Sequence, residues 1–209
     1  MHAAYAEPSL PPTPDPPECP DQVDVRLGVA VLSRWPIVSV EAPMLPSTHR
    51  QPRPVALVAE VAPPDGALWV LTSCLDWEPA HLEDRCAQAA TLAAVAADGR
   101  RDGALPVVVA GDFNAARDSA VLRPFDDAFV DAWALGGGDP TAVTLSSTHP
   151  DAPRDLGELI DRRIDHVFVR PGHPGQPIDV DAVVVAGDRP VRGLYPSDHW
   201  AVVSDVRWS

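Results

Sequence analysis

Apolar residues in this chain come in runs of strand length, and turn-forming residues interrupt them. Residues 27–33, 37–40, 55–61, 68–74, 106–110, 163–170, 180–186 and 200–206 are rich in valine and mostly bounded by Pro, Gly, Asp or Ser, the pattern of short strands. One segment breaks the pattern. Across residues 78–97, Leu82, Cys86, Ala89, Ala90, Ala93 and Val95 recur three or four apart, which predicts a helix that stops near Gly99. Shorter helices are expected at 118–122 and 126–133. Strands with helices set between them predict an α/β chain of the α+β type, with two sheets packed face to face and flanked by helices. Residues 1–24, proline-rich from Pro8 to Pro20, are expected as a tail or loop, since proline suits neither helix nor central strand. Residues 25–209 then form one domain. The long Gly/Thr/Ser-rich loop at 136–157 has the length at which loops tend to carry function.

Composition narrows the functional classes. The net charge is −14, with sixteen arginines and no lysine, so a non-specific nucleic-acid coat is excluded. No apolar run reaches the roughly 18 residues of a membrane helix, so no membrane span is expected. Three cysteines without paired spacing fit a reducing compartment, and the first residues lack a signal-peptide pattern; a cytoplasmic monomer is expected.

Three segments carry chemistry. In Gly111-Asp112-Phe113-Asn114 a strand ends on a carboxylate and an amide spaced by two. Asp112 can orient a water and Asn114, the only asparagine in the chain, can donate to a phosphoryl oxygen; an Asx turn is the plainer alternative. In Arg162-Arg163-Ile164-Asp165-His166-Val167-Phe168, alternation puts Arg163, Asp165 and Val167 on one face. Asp165 needs a partner there, either an arginine or a group that it orients. In Ser197-Asp198-His199, just before the last strand, an oxygen ligand stands next to an imidazole; a turn with a surface histidine is the alternative.

In this order the three segments resemble the endonuclease/exonuclease/phosphatase superfamily. Gly28-Val29-Ala30-Val31-Leu32-Ser33-Arg34-Trp35-Pro36-Ile37 is similar to that family's strand-and-turn. Arg85 and Gln88 match its Arg-x-x-Gln spacing, and Thr72-Ser73-Cys74 stands where it usually has Thr-His. The resemblance implies a four-layer α/β/β/α sandwich with mostly antiparallel sheets, and hydrolysis of phosphoesters assisted by Mg²⁺ or Mn²⁺. It implies Asp112, Asn114, Asp165 and His199 as catalytic residues, and Asp198, His199 and Asp112 around the metal. Asn114, Arg163 and Cys74 would face the substrate. The substrate class spans nucleic acid, phospholipid headgroup and small phosphoester.

Two departures qualify this. The family begins with a strand carrying Asn, then a helix and a strand ending in Gln-Glu, whose Glu is the principal metal ligand. Nothing before Gly28 is read as either element, and Glu7 and Glu18 are read as lying outside strands. The domain is therefore expected to be N-terminally incomplete, with an exposed edge and apolar face and weak metal binding. Cys74 replaces a histidine. The alternative function is a truncated or impaired relative that binds without turnover.

Overall fold

The computed structural model describes residues 1–8, 26–153 and 157–209. The strands are β1 (His2–Ala6), β2 (Val29–Ser33), β3 (Ile37–Glu41), β4 (Leu57–Val61), β5 (Leu68–Cys74), β6 (Val107–Asp112), β7 (Val130–Asp131), β8 (Asp165–Arg170), β9 (Ile178–Ala186) and β10 (Ala201–Trp208). Six form a central sheet in the order β3-β4-β5-β6-β8-β7. Among the described residues only β5 and β6 run parallel, and helix α1 (Leu82–Ala96) makes the crossover that a parallel pair requires.

The valine-rich strands are apolar on both faces because both faces are covered. Val58, Leu71, Val107, Val109 and Phe168 pack toward α1 and the three-ten segment Ala120–Phe125. Leu57, Ala59, Val70 and Cys74 meet Ala4, Ala6, Val29 and Val31 on the other side. A fully buried side chain of this kind stabilises the fold by roughly 1.5–3 kcal/mol. The second layer consists of two antiparallel ribbons, β1-β2 and β9-β10. The expected packed, mostly antiparallel sheets are thus present. Several apolar side chains of these ribbons are exposed: Leu32 is 67%, Val184 53% and Val203 48% exposed.

The structure corrects the N-terminal reading. Residues 2–6 are a strand and not tail, and Glu7 directly follows it. The strand was hidden because its buried positions, Ala4 and Ala6, are small and weakly apolar. The proline-rich reading from residue 9 to 20, with Glu18 and Cys19, lies outside the described residues, as do residues 154–156 of the long loop. The helix expected at 126–133 is instead β7 followed by a single turn, α2 (Ala132–Leu135). Asp131 ends the strand and caps the turn, its carboxylate accepting from the Trp133 N–H at 2.9 Å. The segment expected as helix at 118–122 is the three-ten stretch, with Pro124 inside it.

Candidate active site

Strand register builds the site. Cys74 on β5 pairs with Asp112 on β6, and Asp112 pairs with Asp165 on β8, so three neighbouring strands bring these side chains into one row. Gly111 permits this closeness: a Cβ there would collide with the carbonyl oxygen of Ser73. Beyond Asp112 the chain turns sharply. Phe113 is buried against Phe125, His166 and Phe168 and pins the turn. Asn114 adopts a left-handed backbone with φ 46°, a conformation asparagine tolerates better than most residues.

The Asx turn is present. One Asp112 oxygen accepts from the Asn114 backbone N–H at 2.9 Å. The other accepts from the Asn114 amide at 3.2 Å and from the Cys74 thiol at 3.5 Å. The Asn114 amide also donates to the Leu75 carbonyl at 2.8 Å. Asn114 therefore holds Asp112 in place.

Asp165 finds its partner in His199, whose Nδ1 donates to the Asp165 carboxylate at 3.0 Å. Thr144, fully buried, fastens this pair. Its hydroxyl accepts from the Ile164 and Asp165 N–H groups, and its carbonyl accepts from Trp200 N–H at 2.7 Å. The long loop is thus the bracket between β8 and the His199 segment. Thr144 was not singled out in the sequence, because nothing distinguishes it among the loop's threonines and serines. One ligand atom each from Asp112, Asp165 and His199 lies within 4.8 Å of the others. Burial and the adjacent Asp165 carboxylate raise the Asp112 carboxyl to about 7. Burial would lower His199, but Asp165, with Asp112 and Asp198 behind it, raises it to about 9. At neutral pH His199 is a cation between carboxylates. Cys74 is driven the other way: burial and the Asp112 charge push its thiol well above the usual range, so it stays neutral.

The other expected residues sit further out. Asp198 adjoins His199 and takes a hydrogen bond from Ser197 Oγ at 3.3 Å, outside the compact trio. Arg163 does not join the cluster. It stacks over Trp133, donates to His166 Nδ1 at 2.7 Å and lies 3.6 Å from Asp131. Glu7 bonds to Arg26 at 3.1 Å and Tyr5. The next residue, Pro8, accepts from Val55 N–H, and Val55 in turn accepts from the Ser73 hydroxyl beside Cys74.

Several side chains act behind this row. Arg85 donates to the Asn114 carbonyl at 2.6 Å, and His166 holds the Ala115 carbonyl at 2.8 Å. Gln88 accepts from the Asp76 N–H at 2.9 Å. A second group of possible ligands, His49, Asp76, Glu78, His81 and Asp84, lies along α1. Arg50 already bonds to Asp76 and Glu78, and His49 bridges Asp84 and Glu78. This network ties the loop before β4 to α1.

No curated protein matches the chain. Solved structures share its fold. Humanized D. rerio TDP2 is 24% identical, with a TM-score of 0.70 over 88% of this chain and 73% of that one. D. rerio TDP2 complexed with single-strand DNA product is 22% identical, with a TM-score of 0.61 over 82% and 68%. The human Nocturnin catalytic domain with bound sulfate is 19% identical, with a TM-score of 0.65 over 98% and 73%. The model of the Endonuclease/Exonuclease/phosphatase family matches residues 4–199, beginning within β1 and ending on His199. The chain belongs to the endonuclease/exonuclease/phosphatase family.

Proposed function

We propose that this protein is a divalent-metal-dependent hydrolase of phosphoester bonds, of the phosphodiesterase or endonuclease type. The observation that carries the reading is the convergence of Asp112, Asp165 and His199 beside the Asn114 turn. An arrangement kept only for binding has no need of two carboxylates forced together next to an imidazolium, so we favour turnover over a silent binding module.

The residues fit a metal. Asp112 and Asp165 are close enough that one raises the other's pKa, a repulsion that a dication relieves. Hard carboxylate oxygens suit Mg²⁺ or Mn²⁺. Asp112 and Asp165 would hold the ion, with the His199 imidazolium beside it and Asp198 and Glu7 as further candidate carboxylates. When bound, it supplies charge neutralisation at phosphate and an acidified water.

The chain's own groups divide the remaining work. Asp112, ionised, orients the attacking water and accepts its proton. Asn114 fixes the angle of that carboxylate through its two contacts. Asp165 fixes the His199 ring by accepting from Nδ1–H, which leaves Nε2–H to face the phosphoryl group. There the imidazolium stabilises developing negative charge. Cys74, neutral, contributes packing and a weak hydrogen bond.

The test is turnover of bis-p-nitrophenyl phosphate with Mg²⁺ or Mn²⁺. Asp112→Ala and His199→Ala should each lower kcat on the order of 10²–10⁴-fold, the range for a lost acid–base group. Activity untouched by both changes would remove this assignment. The single-strand DNA product bound to D. rerio TDP2 makes an oligonucleotide a natural second substrate to try.

A further inference from the structure

A groove starts at Asn114 and runs away along the 115–119 turn. One lobe, of about 340 Å³, has Arg85, Asn114, Ser119 and Glu158 in its wall. The other, of about 560 Å³, has Arg117, Thr141, Asp161 and Arg163. Ala116, Asp118 and Arg162 line both, so the lobes adjoin.

Four of the sixteen arginines of a strongly acidic chain meet here, and they are not equivalent. Arg117 is engaged with Asp126 and Asp131, and Arg163 with Asp131 and His166. Arg85 is 3% exposed. Its Nη1 is used on the carbonyls of Asn114 and Trp77, its Nε has no hydrogen-bond partner, and no carboxylate pairs with it among the described residues. Burial works against the Arg85 charge and the Glu158 carboxylate in the same wall works for it, but not from ion-pair distance; an anion seated beside such a buried cation offsets the remaining cost. Arg162 is exposed on the strip between the lobes, and among the described residues its guanidinium makes no hydrogen bond or ion pair.

We propose that this groove binds a second phosphate of the substrate, flanking the scissile one. Arg162 makes the contact and Arg85 provides the buried charge behind it. The substrate class is a nucleotide-like phosphodiester carrying a neighbouring phosphate, not an isolated phosphomonoester. Asp118, Glu158 and Asp161 line the same walls, so the groove is no continuous basic track. It fits one discrete anion with hydroxyl-bearing neighbours, for which those carboxylates are acceptors. The identity of the scissile group rests on the hydrolase reading; the groove's own affinity does not.

Calorimetric titration of the full chain with thymidine 3′,5′-bisphosphate and with each thymidine monophosphate, in the presence of Mg²⁺, separates the two. The wild type should prefer the bisphosphate by about tenfold, the scale of one charge-assisted contact. Arg162→Gln should reduce that preference to about twofold or less, and Arg162→Lys should retain part of it. A wild type without preference, or an Arg162→Gln variant that keeps it, overturns the proposal. If the preference is found but turnover of bis-p-nitrophenyl phosphate does not depend on Asp112, the hydrolase reading fails and the groove stands. The opposite result leaves the hydrolase without this subsite.

Discussion

His166 makes the protein acid-sensitive by an amount that follows from its surroundings. The ring is 1% exposed. Its Nε2–H donates to the Ala115 carbonyl at 2.8 Å, which leaves Nδ1 as the acceptor of the Arg163 N–H at 2.7 Å. Only the neutral ring satisfies both contacts. Burial first, and the Arg163 charge second, lower its pKa from 6.5 to about 4. The folded value lies below the unfolded one, so as pH falls the unfolded chain takes the proton first. The stabilisation is present above about 6.5 and is lost toward 4. At about 1.36 kcal/mol per pH unit, the full gap is worth about 3 kcal/mol, and about 2 kcal/mol of it is gone by pH 5. Urea denaturation at pH 7.5 and pH 5 measures this directly. His166→Gln keeps an N–H for the Ala115 carbonyl but does not titrate, so the wild type should lose about 2 kcal/mol more than the variant over that range. Equal losses in the two proteins would refute the reasoning. Because Ala115 continues the Asn114 turn, catalytic activity should fail over the same acidic interval.

Three other outcomes are expected. Asp165→Asn removes the charge that raises both Asp112 and His199, so both limbs of the pH profile of kcat/KM should move to lower pH, with kcat falling on the order of 10²-fold; limbs that stay in place contradict the pairing. For His49, burial lowers the pKa, but hydrogen bonds to Asp84 and Glu78 outweigh it and raise it; its contribution is therefore full below about 6.5 and lost as pH rises through the folded value. His49→Gln should cost about 1 kcal/mol at pH 6 and less at pH 8.5 by urea denaturation. Glu7→Gln should raise the Mg²⁺ concentration for half-maximal activity about tenfold or more with an unchanged circular dichroism spectrum, since a hard cation loses an oxygen ligand; an unchanged Mg²⁺ requirement removes Glu7 from the site.

The strands were legible because valine-rich runs between turn residues have few other ways to be buried, and the Asp112 turn was legible because its glycine and asparagine have specific backbone reasons. The buried face of α1 was not. Periodicity pointed to Leu82 and Ala90, yet both are exposed, and the helix buries Asp84, Arg85 and Gln88 beside Ala89 and Leu92. Those polar groups are buried because each serves a backbone or charge partner far away in sequence, a relation that no local pattern encodes. Arg163 stands apart from Asp165 for a related reason. Alternation places it on the face of Asp165, but it stands before β8 begins, where the strand rule no longer governs its direction.

β1 joins these lessons to the chemistry. A strand of His-Ala-Ala-Tyr-Ala shows little hydrophobic signal, because alanine buries little area, yet Ala4 and Ala6 are what let it lie close against Leu57 and Ala59. Larger residues would hold the ribbon off the central sheet. The same closeness carries Glu7 and Pro8 to the head of β4, one hydrogen bond from Val55 and two from Ser73. The carboxylate that the sequence placed outside any strand therefore follows one, at the end of the sheet where Cys74, Asp112 and Asp165 stand in register. There it is paired with Arg26, an exposed ion pair. Exposed pairs of this kind are worth about 0–1 kcal/mol. A dication offering inner-sphere oxygen coordination competes with that easily, so the Arg26 contact is no barrier to Glu7 turning toward the metal. On the proposed reading Glu7 would then add an oxygen ligand that Cys74, a neutral thiol, does not supply.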